Sequence, residues 1–100
     1  MRTIEIDGST FNSLAGFYNE IEKHLSQGNC PWGRNLDSLD EIVLYNFNYT
    51  ENRNLDVTKV VWRNFEKSKS EILDLRGSTY VIDILVDIFQ RNKTILFERK

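Results

Sequence analysis

Residues 57–62, VTKVVW, decide the fold of this 100-residue chain because they form its clearest strand. Val57, Val60 and Val61 are β-branched and apolar, and such a run is typical of a strand buried in a parallel sheet. Trp62 ends the run, and its apolar neighbours indicate a core residue rather than a contact residue. Parallel strands need crossover segments between them, so helices are expected on either side of this strand.

The two ends of the chain each supply a further predicted strand. Residues 2–6 place Ile4 and Ile6 on one side of a strand, and the Asp-Gly pair that follows predicts a turn. Residues 94–97, TILF, are apolar and β-branched, and they predict the strand that closes the chain.

Two helices are predicted between the first strand and the central one. The first begins after Ser13, whose hydroxyl can cap it, and the second begins near Asn35 after a loop at 28–33. Residues 46–56 are polar and asparagine-rich, and they predict an exposed loop. The apolar residues recur at spacings of three and four and face the core: Leu14, Phe17, Ile21 and Leu25 in the first helix, and Leu36, Leu39, Ile42 and Val43 in the second.

Two more helices are predicted between the central strand and the last one. The third covers residues 64–75 and ends before Gly77. The fourth is expected to be capped by Ser78 or Thr79 and to run to about Arg91. Its inward side carries Val81, Ile82, Leu85, Ile88 and Phe89.

The elements follow the order β-α-α-β-α-α-β, which predicts an α/β fold with a three-stranded parallel sheet and about four helices. The length fits a single domain, residues 1–100. No run approaches the length of a membrane span and the N-terminus lacks a signal peptide, so we expect a cytoplasmic protein. The 13 basic and 15 acidic residues give a net charge of −2, which does not favour a nucleic-acid partner.

The sequence lacks the groups of residues from which catalytic sites and metal sites are usually built. His24 is the only histidine and Cys30 the only cysteine, and a catalytic pair would need both to meet beside an orienting group. Divalent-cation sites gather oxygens from several segments, whereas Asp37, Asp40 and Glu41 share one helical turn. We expect no catalysis, cofactor or metal. A hydrolase built on Asp37 and Glu41 is a remote alternative, because so small a domain has little room for a substrate cleft.

The predicted second helix gathers negative charge at its start. Positions 37, 41, 44 and 45 share its exposed face, because 41 lies four residues after 37, and 44 and 45 lie three and four residues after 41. Asp37 and Glu41 are therefore like charges one turn apart, which mildly destabilises an isolated helix. The helix dipole favours acids in the first turn and accounts for Asp37, but it does less for Glu41. Local electrostatics and a binding partner remain open as explanations.

Two segments in this order, WGRNLDSL at 32–39 and WRNFEKSKS at 62–70, resemble the barstar family of small intracellular inhibitors of barnase-type ribonucleases. The resemblance extends over nearly the whole chain. It implies a three-stranded parallel sheet with four helices, the same fold that the periodicity predicts. It also implies that the second helix and the loop before it plug the active site of a ribonuclease.

The resemblance implies a set of contact residues. The first interface acid of the family falls on Asp37, the acid that enters the phosphate-binding centre of the nuclease falls on Glu41, and an acid of the fourth helix falls on Asp87. The loop and the helix start contribute Trp32, Asn35 and Leu36.

The chain departs from the family prototype at the contact surface. Glu41 replaces an aspartate, Asp40 replaces a tryptophan, Leu44 and Tyr45 replace smaller residues, and Pro31 replaces a contacting tyrosine. The cognate nuclease is therefore expected to differ from the prototype's, as an extracellular ribonuclease or the ribonuclease domain of a toxin. The free protein is expected to be a monomer. The alternative is a regulatory interaction module that keeps the scaffold and no longer binds a ribonuclease.

Overall fold

The computed structural model describes residues 2–25, 33–48 and 51–100. Within these ranges the chain forms a three-stranded parallel sheet, a short two-stranded hairpin and four α-helices. The elements are β1 (Arg2–Asp7), α1 (Leu14–Lys23), α2 (Leu36–Leu44), β2 (Val57–Arg63), α3 (Phe65–Glu71), β3 (Leu75–Arg76), β4 (Thr79–Tyr80), α4 (Val81–Arg91) and β5 (Leu96–Arg99).

The predicted central strand is the middle of the sheet. The strand order is β1-β2-β5, and β2 pairs in parallel with both neighbours. Val60 lies opposite Ile4 on one side and Phe97 on the other, which continues an apolar row across the sheet. The α/β fold with a three-stranded parallel sheet is therefore confirmed.

The two faces of the sheet differ in chemistry because side chains alternate along each strand. Ile4, Ile6 and Trp62 are buried in the core that the helices cover. The opposite face carries charges, and the Lys59 Nζ lies 3.3 Å from a carboxylate oxygen of Glu98. The helices therefore have one apolar surface to pack against, and their positions follow from it.

Trp62 is completely buried, as its apolar neighbours predicted. Its ring stacks on Phe17 at 5.0 Å and meets the edge of Phe65 at 5.1 Å between ring centroids. The indole Nε1–H donates to the Ser68 hydroxyl at 3.1 Å, so its one polar group is satisfied inside the core.

The third helix is shorter than predicted. It ends at Glu71 rather than at position 75, and the following residues form the β3–β4 hairpin that the sequence did not predict. Gly77 occupies the hairpin turn with a φ of +66°, so the glycine that was expected to end the helix serves this turn instead.

The start of the fourth helix also differs from the prediction. Neither Ser78 nor Thr79 caps it, and Tyr80 is the N-cap without a side-chain hydrogen bond. The backbone N–H of Val81 instead donates to the Asp74 carbonyl at 2.8 Å. A hairpin carbonyl therefore satisfies a helix N–H that a cap would otherwise bind.

The closing strand lies two residues later than predicted, at Leu96–Arg99. The Thr94 hydroxyl bonds Asn92 at 2.7 Å and so belongs to the preceding turn. At the other end, the Lys100 N–H donates to the Trp62 carbonyl at 2.8 Å and extends the pairing with β2. Among the described residues, no helix is both long enough and apolar enough to cross a membrane.

Candidate functional site

The α2 helix begins at a well-defined cap. The Asn35 side chain accepts a hydrogen bond from the Ser38 N–H at 2.8 Å, which satisfies one of the free donors of the first turn. The preceding Arg34 donates to Glu22 at 2.9 Å and to Asn19 at 2.6 Å. Because both acceptors lie on or beside the exposed side of α1, the start of α2 is tied to the first helix.

The other end of α2 is tied to the rest of the core. Asn46, with a φ of +54°, turns the chain out of the helix and donates from its side chain to the Val57 carbonyl at 2.8 Å. The Asn92 side chain donates to the Val43 carbonyl at 2.5 Å and so joins the ends of α2 and α4. With Leu39, Ile42 and Val43 buried beneath it, the helix is held along its whole length.

The exposed face of α2 lines a depression of about 580 Å³ between α2 and the end of α4. Five of the residues predicted at the contact surface are on its wall: Asp37, Asp40, Glu41, Leu44 and Tyr45. Leu44 is 69% exposed and Tyr45 is 51% exposed, which is unusual for side chains of this size. The face that helical spacing predicted is therefore a single surface with an acidic and an apolar part.

Arg91 is the basic residue in this depression. Its Nε lies 3.0 Å from a carboxylate oxygen of Asp87, one turn earlier on α4. Its Nη2 lies 3.6 Å from a carboxylate oxygen of Asp40 on α2. Arg91 is not among the contact residues predicted from the sequence. The spacing of four from Asp87 signalled the first pair, but nothing in the sequence signals the second.

Asp37 and Glu41 differ from these two acids. Both are exposed, and neither has an ion pair with any residue in the ranges that the structure describes. The arrangement thus separates two carboxylates that share the Arg91 guanidinium, Asp40 and Asp87, from two that are open to an external cation.

The remaining predicted contact residues are distributed around this surface. Asn35 and Leu36 line a second depression, which adjoins the first through Asp37. Leu36 is half-buried against the core and Asn35 is occupied as the helix cap. Trp32 lies outside the described residues, as do Cys30 and Pro31.

The loop after α2 is less exposed than predicted. Phe47 and Asn48 are buried, and Phe47 stacks on Phe89 at 6.4 Å between ring centroids. The Asn48 side chain donates to a carboxylate oxygen of Asp56 at 2.5 Å, and this hydrogen bond is the main reason that the pKa of Asp56 is lowered. The buried asparagine therefore fixes the loop beside Tyr45.

The chemistry of this site is suited to binding cations on another molecule. Within the described part of the chain, no group of three histidine, cysteine or acidic side chains is placed to hold a metal ion. His24 is on α1's C-terminal end, where its Nε2 lies 3.2 Å from the Glu5 carbonyl, and burial lowers its pKa. Its hydrogen-bond partner therefore belongs to β1 and not to the acidic face of α2.

The similarity of this chain to known proteins is found at the level of a protein family. A search of curated proteins finds no match to the chain. A family model described as Barstar (barnase inhibitor) matches residues 1–97 and so includes β1, β2 and the four described α-helices. That family consists of inhibitors rather than catalysts, and its members bind barnase-type ribonucleases. The match covers nearly all of the 100 residues, and the chain belongs to the barstar family.

Proposed function

We propose that this protein inhibits a barnase-type ribonuclease without catalysis, by inserting the acidic face of α2 into the cationic cleft that binds RNA. The nuclease is an extracellular enzyme or the ribonuclease domain of a toxin, and inhibition takes place in the cytoplasm. The observation that carries the proposal is the pair of exposed, unneutralised carboxylates, Asp37 and Glu41, on a helix that is fixed at both ends.

The physical basis is mimicry of a phosphate backbone. A ribonuclease must bind a polyanion, so its cleft presents arginine, lysine or histidine. Carboxylates accept charge-assisted and often bidentate hydrogen bonds from arginine, in the way that phosphates do. A helix fixed by Asn35, Asn46 and Asn92 presents these acids with little further loss of conformational entropy. The exposed Leu44 and Tyr45 supply apolar contact area at the rim.

Charge removal tests the proposal directly. The inhibition of RNA cleavage by barnase and by a panel of other barnase-type ribonucleases is measured for three variants: Asp37→Ala, Glu41→Ala and Asp87→Ala. Removing Glu41 or Asp37 leaves a cation of the nuclease buried and unpaired, which typically costs about 2–5 kcal/mol of binding. The charge pairs from which such energies are known include those of the barnase–barstar complex itself, so the figure is an analogy and not an independent prediction. We expect Glu41 to matter most, Asp37 next and Asp87 least, because Asp87 is already paired with Arg91.

Two other exposed acids provide matched controls. Glu66 lies in the first turn of α3 and Asp83 in the first turn of α4, so each has the dipole contribution of Asp37 without its place in the depression. Glu66→Ala and Asp83→Ala should leave inhibition unchanged. If the parent inhibits no ribonuclease of the panel, or if the control variants lose as much inhibition as the site variants, the proposal is wrong.

Ionic strength gives a second measurement on the same complex. Fields that steer the two proteins together are screened over roughly 8–10 Å at 0.1–0.15 M salt. We expect the association rate of the parent to fall steeply as salt rises, and the fall to be shallower for Glu41→Ala. An association rate that does not depend on salt would contradict electrostatic steering by this face.

The exposed apolar rim favours one second candidate, an interaction module that no longer binds a ribonuclease. Leu44 and Tyr45 stand where smaller residues are expected for the family, and both are largely exposed. This candidate predicts that the parent inhibits no member of the panel while its fold is intact.

A further inference from the structure

Arg91 places a positive charge at one corner of an otherwise acidic depression. The other charged residues on the wall are Asp37, Asp40 and Glu41, and Arg91 is the one cation among the described residues that line it. A surface intended only to attract cations gains nothing from a guanidinium at this place, since a nearby cation weakens its field.

The guanidinium is held in position and still has donors to offer. Its ion pairs to Asp87 at 3.0 Å and to Asp40 at 3.6 Å involve Nε and Nη2, and Nη1 has no ion pair within the described ranges. The next residue, Asn92, donates to the Val43 carbonyl at 2.5 Å, so the end of α4 keeps a constant place beside α2. The Arg91 side chain remains 54% exposed. Arginine carries five N–H donors, and the unused ones can bind an external acceptor.

We infer that Arg91 is a specificity-determining contact residue, which pairs with a carboxylate of the ribonuclease beside the cations that bind Asp37 and Glu41. This inference rests on the proposed function and adds to it the charge pattern of the partner. A nuclease that attacks through a ribose hydroxyl needs a general base, and a carboxylate is one of the groups that serve. A cleft with two cations and a neighbouring carboxylate therefore matches this surface.

The same arrangement excludes unsuitable partners. A nuclease with a third cation at this position would face the Arg91 guanidinium, and like charges at an interface are strongly unfavourable. Specificity commonly arises from such a repulsive contact together with the attractive ones. Asp40 and Asp87 hold the guanidinium in this role and are themselves positioning residues.

Removal of the cation distinguishes this role from simple neutralisation. If Arg91 only neutralises Asp40 and Asp87, Arg91→Ala exposes two more carboxylates and should tighten binding to a cationic cleft. If Arg91 pairs with a carboxylate of the nuclease, the same change should weaken binding by about tenfold or more. The two accounts thus predict changes of opposite sign.

The experiment uses the ribonuclease of the panel that the parent inhibits most strongly. Inhibition constants are measured for Arg91→Ala, Arg91→Glu and Arg91→Lys, with Lys69→Ala on α3 as the control that removes one exposed positive charge elsewhere. We expect weaker inhibition by Arg91→Ala, still weaker inhibition by Arg91→Glu, partial recovery in Arg91→Lys and no change in Lys69→Ala. Thermal unfolding is followed for each variant, and the inhibition constants are compared at a temperature where all are folded.

A variant of the nuclease completes the test. The acidic residues of its cleft are replaced one at a time by their amides, and one replacement should cancel the difference between the parent and Arg91→Ala. Equal or tighter inhibition by Arg91→Ala overturns the inference while leaving the proposed function intact. Failure of the parent to inhibit any ribonuclease overturns both.

Discussion

At the scale of single residues, the indole N–H of Trp62 has one partner in the core. It donates to the Ser68 hydroxyl at 3.1 Å, and both residues are completely buried. Ser68→Ala removes the acceptor and leaves a buried donor unsatisfied, which costs about 1–3 kcal/mol. We expect the free energy of unfolding, measured by urea titration, to fall by this amount.

Ser70 supplies the control on the same helix. Its hydroxyl is exposed and donates to the Lys67 carbonyl at 2.8 Å. Ser70→Ala should change the free energy of unfolding by less than about 0.5 kcal/mol. Equal effects of the two substitutions would mean that the indole finds another acceptor.

At the scale of elements, the β3–β4 hairpin depends on one backbone conformation. Gly77 has a φ of +66°, and a Cβ added there meets no atom within 4 Å. Gly77→Ala therefore has no steric clash and costs only the left-handed conformation, about 1–2 kcal/mol. Hydrogen exchange of the hairpin amides should accelerate in Gly77→Ala.

The asparagine variant separates conformation from side-chain size. Asparagine tolerates the left-handed region better than alanine, so Gly77→Asn should retain more of the hairpin's protection. If the two variants exchange equally fast, the positive φ is not what limits the hairpin.

The strands and most helix bounds could be predicted because they depend on local periodicity. The hairpin could not, since its strands have two residues each and their stability depends on contacts such as the Val81 N–H with the Asp74 carbonyl. The sequence at 72–75 fits a helix equally well, and burial of Ile72 in the core, with the backbone turned extended, decides against it. Likewise Glu98 and Arg99 have little strand propensity, and pairing with β2 places them in the sheet.

The candidate site, likewise, could be predicted only where it depends on helical spacing. Helical spacing alone placed Asp37, Glu41, Leu44 and Tyr45 on one face, and the structure brings them to one depression. The division of its acids into those paired with Arg91 and those without an ion pair was not predictable. It depends on the contact between Arg91 and Asp40, which are distant in sequence and meet only when α2 packs against α4.

At the scale of the whole molecule, several carboxylates titrate at lower pH in the folded chain than in the unfolded one. The pKa of Glu5 is lowered by its hydrogen bond and ion pair with Arg63, and the pKa of Glu98 chiefly by its hydrogen bond with Lys59. A carboxylate with a lowered pKa holds fewer protons when folded. It therefore stabilises the fold above its ordinary pKa of 4.5, and that contribution is lost as the pH falls through the folded value.

His24 adds a separate step at higher pH. Burial lowers its pKa from the ordinary 6.5, so the unfolded chain takes up the proton first as the medium is acidified. The free energy of unfolding should therefore begin to fall near pH 6.5 and continue to fall until the folded histidine is itself protonated. The Nε2 contact with the Glu5 carbonyl at 3.2 Å opposes this shift, but burial is the larger effect.

His24→Gln isolates the histidine step from the carboxylates. The glutamine amide can still donate to the Glu5 carbonyl but does not titrate. Urea unfolding of both proteins between about pH 8 and pH 5.5 should show a loss of stability in the parent and a much smaller one in the variant, since histidine is the side chain that ordinarily titrates there. Below about pH 4.5 both should lose stability together, because the carboxylates are unchanged. If the parent and His24→Gln run parallel over the upper range, burial of His24 does not couple folding to pH.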